Sequence, residues 1–349
     1  MMFQNAIEGM SDLEFYQNEL RMAELAEPLN FSSIWCVEHH FDGDYSIAPD
    51  NTQILSYLAA KTTNITLAPA AIILPWWEQP LRVAEKVSLL DTLSGGRVEL
   101  GVGRGLSKTE YQQMGIPMGE SRERFGESVK LVLDALETGT IEGSGKHYTV
   151  PSAPIRPRPL QGFKDRLFVI AMTEDSVKEA AHLGAAMATF IQFPIEQHAE
   201  LINLYRQEFT DKHQKAAPAP TLTEFVFCDR DPVKAEEIAR RYISSYFVQV
   251  MRHYDFAGEH FAKTPGYASY DAVARAIRES GKDAAAEAYF QAQTWGTPEQ
   301  IIEKIKHQRS VVGDFRLSAT FAYAGMPYET AEQSMRLFSE AVLPELENL

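Results

Sequence analysis

The sequence predicts an α/β fold: a single (β/α)8 TIM-type barrel with a long helical insertion between its seventh and eighth strands. Three observations carry this. Strand-period and helix-period segments alternate along all 349 residues, a pattern that calls for parallel strands joined by helical crossovers. Eight such strands fit a closed barrel better than an open doubly wound sheet. No shift of composition marks a second domain, so residues 1–349 read as one barrel domain.

The elements follow in chain order. Met2 to Ala6 is a short strand. Ser11 caps the next helix, Asp12 to Ala26, and Glu14 completes a capping box. Ser33 to Glu38 is the second strand, followed by a helix near Thr52 to Ala60. Ile65 to Leu74 is the third strand, stopped by Pro75, and Leu81 to Leu93 is helical. Val98 to Gly103, after the turn signal Ser94-Gly95-Gly96, is the fourth strand, and a helix runs from about Ser121 to Glu137. The proline- and glycine-rich stretch Gly143 to Gly162 reads as an irregular surface connection. Leu167 to Ala171, Met187 to Ile191 and Thr221 to Phe227 are strands five to seven, separated by helices Asp175 to Leu183 and Ile195 to Phe209. Pro232 to Gln293 is helical with no strand. Thr297 and Pro298 then open another helix as N-cap and first residue, Phe315 to Tyr323 is the eighth strand, and Tyr328 to Leu346 closes the chain.

Composition narrows the function classes. The chain is 45% hydrophobic and 23% charged, with a net charge of −15. That acidity argues against nucleic acid or an anionic membrane as partner. No apolar run is long enough to span a bilayer and no signal peptide is visible, so a cytoplasmic protein is expected. Cys36 and Cys228 each lie in an apolar strand-like run, far apart, and read as reduced core thiols.

Chemistry concentrates at strand ends. Trp35-Cys36-Val37-Glu38-His39-His40-Phe41 is an apolar strand that ends in a carboxylate and two imidazoles. Histidine titrates near neutrality and suits a base or proton shuttle, and a satisfied polar cluster is the plain alternative. Neighbouring residues of a strand face opposite ways, so His39 and His40 are poorly placed to share an ion, His-Glu-x-x-His is absent, and no metal is expected. Gly101-Val102-Gly103-Arg104-Gly105-Leu106 runs from a strand into a glycine turn with one arginine. Such a turn can hold a phosphate or can simply be tight; it lacks the third glycine of a dinucleotide fingerprint and the Lys-Ser/Thr of a P-loop. Thr173 and Ser176, after the fifth strand, either cap the following helix or bind an anion at its positive end. Trp76 and Trp77 wall a pocket or pack against a helix. In a parallel barrel these strand ends meet on one face.

With those residues in place, the sequence resembles the bacterial luciferase-like family of flavin-dependent monooxygenases along essentially its whole length. The resemblance lies in Glu38-His39-His40-Phe41, in Leu89-Leu90-Asp91-x-Leu-Ser-x-Gly96-Arg97, in Arg104-Gly105-Leu106, in Met118-x-x-Ser121-Arg122, in Gly296-Thr297-Pro298-Glu299 and in Ser334-Met335-Arg336-x-Phe338. It implies reduced FMN as cosubstrate, supplied by a separate flavin reductase, and oxygenation of a small apolar aldehyde or ketone. It implies His39 as the catalytic histidine, oriented by Glu38 and His40. Arg104 and the Leu106 backbone would clamp the phosphate, with Thr173 and Ser176 completing the clamp, and a cis peptide at Ala70-Ala71 would support the flavin ring. The region of about 232–293 would carry a lid, from about Gly258 to Gln293, and a homodimer would form on the helices Thr52 to Ala60 and Leu81 to Leu93. Four positions depart from the luciferase catalytic subunit: Gly103 stands for a reactive cysteine, Met172 for a glutamate, and Phe190-Ile191 for a Ser-Trp pair. Two other readings stay open, an F420-dependent dehydrogenase on the same barrel and a non-catalytic flavin-binding subunit.

Overall fold

Strand and helix periods resolve into the elements they predict, with most boundaries moved by one or two residues. The computed structural model describes residues 1–346. Strands are β1 (Ser33–Cys36), β2 (Thr66–Pro69), β3 (Ile72–Ile73), β4 (Leu100–Gly103), β5 (Thr140–Ser144), β6 (Thr149–Pro154), β7 (Leu167–Ile170), β8 (Ala186–Phe190), β9 (Thr221–Cys228), β10 (Thr294–Gly296) and β11 (Arg316–Thr320). Helices up to the hairpin are α1 (Asp12–Glu24), α2 (Asn51–Lys61), α3 (Pro80–Ser94), α4 (Lys108–Gln113) and α5 (Ser121–Thr138). After it come α6 (Glu174–Leu183), α7 (Ile195–His213) and α8 (Pro232–His253). The remaining helices are α9 (His260–Lys263), α10 (Ala268–Ser280), α11 (Lys282–Ala292), α12 (Pro298–Val312), α13 (Tyr328–Ala341) and α14 (Leu343–Leu346).

The wall strands are parallel. β1 pairs β2, and a second ladder runs β3–β4–β7–β8–β9, with β10 and β11 both on β9. A bridge between Leu67 and Val98 brings β2 beside the start of β4. The ladders do not close into a complete ring among the described residues. The first expected strand accounts for part of this. Met2 to Ala6 is buried chain without a ladder, because Phe3 has φ 52°, outside the extended region; single bonds tie it down, Val37 N to Met1 O and Ile47 N to Phe3 O. The third expected strand is two, since the Ala70–Ala71 peptide is cis and separates β2 from β3. One reading is corrected outright. The stretch from Gly143 is not irregular: β5 and β6 form an antiparallel hairpin with a bulge, whose prolines lie in or next to a two-stranded edge. The described part of 232–293 holds helices and no strand, and a short strand that was not expected, β10, follows it.

Packing explains one of the motifs that carried the resemblance. Asp91, fully buried on α3, receives Arg166 Nη1 at 2.7 Å and the Leu160 N–H at 2.8 Å. Arg97 donates to the carbonyls of Ala59, Thr62, Ile65 and Ser94, satisfying orphan acceptors at the end of α2. Leu-Asp-x-Leu-Ser-x-Gly-Arg therefore braces the end of the barrel away from the strand carboxyl ends, and losing one partner of such a buried pair costs about 3–5 kcal/mol.

On α7, buried His198 accepts from the N–H groups of Gln192 (3.3 Å) and Phe193 (3.4 Å), just after β8. Burial lowers its pKa from 6.5 to about 4. The unfolded chain therefore binds the extra proton first, and stability is complete above pH 6.5 and falls as the pH drops toward 4. At most about 3 kcal/mol is at stake. Urea titrations at pH 7 and pH 4.5 should show this loss in the parent and a smaller one in His198→Gln.

Candidate functional site

The three consecutive polar residues after β1 go in three directions. Glu38 turns inward, where its Oε2 accepts the Ile73 N–H at 3.1 Å and its Oε1 lies 3.5 Å from His40 Nε2. Burial raises its pKa, against the pull of His40 and the backbone bond. His40 packs edge-on to Trp76, with centroids 5.4 Å apart. His39 lies on the cavity wall, and its Nδ1 is 3.2 Å from Glu110 Oε1. Glu38 and His40 thus pair with each other, and the group that orients His39 is Glu110.

Glu110 was not anticipated. Ser107-Lys-Thr-Glu110 has the spacing of a capping box, and Ser107 does cap α4, but the Glu110 carboxylate turns away to the β1 loop. It takes the His40 N–H at 2.7 Å and His39 on one oxygen, and its Oε2 faces His253 Nε2 at 3.7 Å. Burial opposes its charge, yet His39 and His253 outweigh burial and lower its pKa to about 2. His253, in the last turn of α8, stacks on Tyr45 at 4.0 Å and meets Asp42 Oδ2 at 3.1 Å through Nδ1. A cation in the last turn suits any helix, so no local pattern singles it out.

The turn after β4 is dictated by close approach. Gly105 has φ +80°, and a Cβ there would lie 2.8 Å from Ile73 Cγ2 and 3.2 Å from the Trp76 ring. A Cβ on Gly103 would meet Ile73 Cδ1 at 3.2 Å and Ala71 Cβ at 3.4 Å. Gly103, Ala70 and Ala71 therefore leave one wall without long side chains. Asn51, at the start of α2, donates to the carbonyls of Cys36 (3.3 Å) and Ala71 (3.2 Å), tying the end of β1 to the cis peptide.

Arg104 forks onto the Gly266 carbonyl, both nitrogens at 3.1 Å, and lies over the Tyr267 ring at 4.1 Å. Arg122 approaches the same glycine and pairs with Asp175 at 2.9 Å. Thr173 and Ser176 serve each other in a capping box on α6; Ser176 and Met172 also line the cavity, whereas Thr173 is the buried N-cap. The hydroxyls expected at a phosphate are thus already bonded, and Arg122 stands where a second cation is useful. Leu106 and Trp76 are on the cavity wall. Trp77 instead carries Lys86 over its ring at 4.2 Å.

These groups surround one cavity at the carboxyl ends of the strands, about 1110 Å³ of space not filled by atoms and partly open to solvent. Tyr45, Tyr246, Tyr254, Tyr270 and Tyr289 form much of the remaining wall, four of them from the helical region between β9 and β10 or the loop before it. Acid–base groups and cations around a hollow at this end of a parallel sheet are the layout of a barrel enzyme. Comparison with known proteins makes the class specific. The luciferase-like monooxygenase profile matches residues 1–314, and the chain belongs to that family. It is 25% identical to the alkanal monooxygenase alpha chain of Photorhabdus luminescens over 99% of this chain and 96% of that one. It superposes on monooxygenase RslO1 of Streptomyces bottropensis with a TM-score of 0.78 at 27% identity, covering 96% and 95% of the two chains. The FMN complex of the oxygenating constituent of 3,6-diketocamphane monooxygenase from Pseudomonas putida shares the fold, with a TM-score of 0.75 at 16% identity over 99% of each chain. So does an F420-dependent secondary alcohol dehydrogenase, at 0.67 and 19% over 94% of each.

Gly105→Ala should destabilise the fold by about 1–3 kcal/mol, since it combines a positive φ with a clash against the buried Ile73 side chain. A urea midpoint equal to the parent's would contradict that account.

Proposed function

We propose that the chain is a flavin-dependent monooxygenase that takes reduced FMN and oxygen and oxygenates a small apolar substrate, an aldehyde or ketone. The observation that carries this reading is the pairing, across one cavity, of a carboxylate-held imidazole with a wall lacking long side chains and a forked arginine. A flat isoalloxazine ring needs such a wall, and a phosphate needs such a cation. Arg104 and the Leu106 backbone would hold the phosphate. The convergence of Arg104 and Arg122 near Gly266 supports an anion there, since it would relieve their mutual repulsion. Ala70, Ala71 and Gly103 would support the ring, and Ser176 and Met172 would border the phosphate end. When bound, reduced flavin supplies the electrons that activate oxygen.

The protein's own work is to orient, to hold a proton and to exclude water. With Nδ1 committed to Glu110, His39 offers Nε2 to the cavity as base or hydrogen-bond donor. Glu110 stays ionised and keeps that tautomer in place. The segment bearing Gly266 and Tyr267 closes over the glycine turn: Tyr267 donates its hydroxyl to the Gly105 carbonyl at 3.0 Å. It would serve as a lid over the phosphate end, within a single domain built on the parallel wall strands. A cytoplasmic location fits, since no described helix is long and apolar enough to cross a membrane. A homodimer on α2 and α3 is supported by exposed Tyr57, Leu89 and Leu93. The reductase would meet the chain only transiently.

F420 is the second reading of the same cavity, supported by the fold shared with F420-dependent proteins. Anaerobic titration with photoreduced FMN and with reduced F420 separates the two, followed by oxygen uptake across a panel of aldehydes and ketones. Arg104→Ala should weaken FMN binding about 10- to 100-fold with the fold intact, the equivalent of one charge-assisted hydrogen bond. His39→Ala should keep FMN affinity and lose about 100- to 10,000-fold in kcat. Unchanged FMN affinity in the first variant, or full turnover in the second, would remove that residue from its role.

A further inference from the structure

We propose that His39, Glu110 and His253 form a site for a borderline divalent cation such as Zn2+, set into the wall of the cavity. One ligand atom from each of these residues lies within 4.8 Å of the others, and the residues are buried or nearly so; His39 Nδ1 is 3.2 Å from Glu110 Oε1, and His253 Nε2 is 3.7 Å from Glu110 Oε2. The adjacent imidazoles His39 and His40 do not cooperate, as the sequence suggested. The set is built instead from β1, α4 and α8, which only the fold brings together.

Three features separate this set from an ordinary polar cluster. First, the His253 side chain is 3% exposed, and its buried Nε2 has no hydrogen-bond partner. It points at Glu110 Oε2 across 3.7 Å, too long for a hydrogen bond. Two ligands on one tetrahedral ion, each roughly 2.0–2.2 Å from it, stand about 3.3–3.6 Å apart, so this spacing is close to a coordination edge. Secondly, the other nitrogen of His253 faces Asp42 Oδ2 at 3.1 Å, and Arg252 Nη2 holds Asp42 Oδ1 at 3.1 Å. A carboxylate on the far nitrogen is what fixes a metal-binding histidine, directing its lone pair at the ion. With Nδ1–H donated to Asp42, the Nε2 lone pair would confront a carboxylate oxygen, an arrangement that a bound cation relieves. Thirdly, the two hydrogen bonds that hold Glu110 both fall on Oε1, from the His40 N–H at 2.7 Å and from His39, so the carboxylate is already oriented with Oε2 turned to His253.

Two nitrogens and one oxygen favour Zn2+ over Mg2+ or Ca2+, which prefer oxygen sets. Binding would take the proton from His39 Nδ1 and release it to solvent, so affinity would fall with falling pH. Because His39 and Glu110 line the cavity, the fourth position of the ion opens toward it. On the monooxygenase reading, occupancy would claim the imidazole assigned to acid–base work and inhibit turnover.

The test reads binding directly and does not depend on flavin or on turnover. The full chain is stripped with chelator and dialysed against buffered Zn2+, and bound metal is counted by elemental analysis. Co2+ in place of Zn2+ gives visible ligand-field bands that report the donor set. One equivalent per chain is expected. His253→Ala and Glu110→Gln should each weaken it at least about 100-fold and abolish the Co2+ bands, and Asp42→Asn should weaken it about 10- to 100-fold. His307→Ala, at an exposed surface histidine, should leave it unchanged. His253→Gln, closer in size, serves as the binding-defective variant if the alanine fails to fold. Absence of a stoichiometric site in the parent, or retention of it in the His253 and Glu110 variants, would overturn the proposal whatever cofactor the cavity takes.

Discussion

The buried carboxylate of Glu110 is the constraint around which the cavity is organised. It gathers the end of β1, the start of α4 and the last turn of α8 by taking the His40 N–H, His39 and the approach of His253. A lone buried carboxylate is expensive, and this one keeps its charge only because two imidazoles and a backbone donor converge on it. The three segments are therefore held in register by electrostatics in a region where side-chain packing alone would allow them to slide.

The opposite side of the cavity is held by a different device. Arg104 leaves the glycine turn, forks onto the Gly266 carbonyl and stacks on Tyr267, and the Tyr267 hydroxyl returns to Gly105 and Ser121. The region between β9 and β10 is thereby fastened to β4 through polar contacts that an anionic ligand can compete for. Loop closure over a ligand costs little when the loop is already partly ordered. Arg104 would have to share its fork between a phosphate and the lid, and Arg122 lies close enough to take up part of the charge.

Much of the architecture was legible in the sequence because it is set locally. The capping box at Ser11/Glu14, the N-cap at Thr297, the C-terminal glycine Gly184 and the strand periods of β1, β4, β7, β8, β9 and β11 follow from neighbours a few residues apart. The first strand and the 143–162 stretch were misread for physical reasons. A positive φ at Phe3 is invisible in an apolar run, and prolines at a hairpin edge look like loop. His39 and Arg104 stood out because each sits in a motif at a strand end. Glu110 did not, since Ser107-x-x-Glu110 has the spacing of a cap, and His253 looked like any cation at a helix end.

What the chain determined by itself is the alternation of parallel strands with helices and the gathering of strand-end residues on one face, because a period and a connection length are properties of contiguous sequence. What only the tertiary structure decided is partnership. His39 belongs to Glu110, 71 positions away, and Glu110 faces a histidine at the end of a helix more than a hundred residues further on. Such pairings depend on how elements far apart in the chain settle around a common core, and hydrogen bonds between distant residues leave no spacing for a sequence to display.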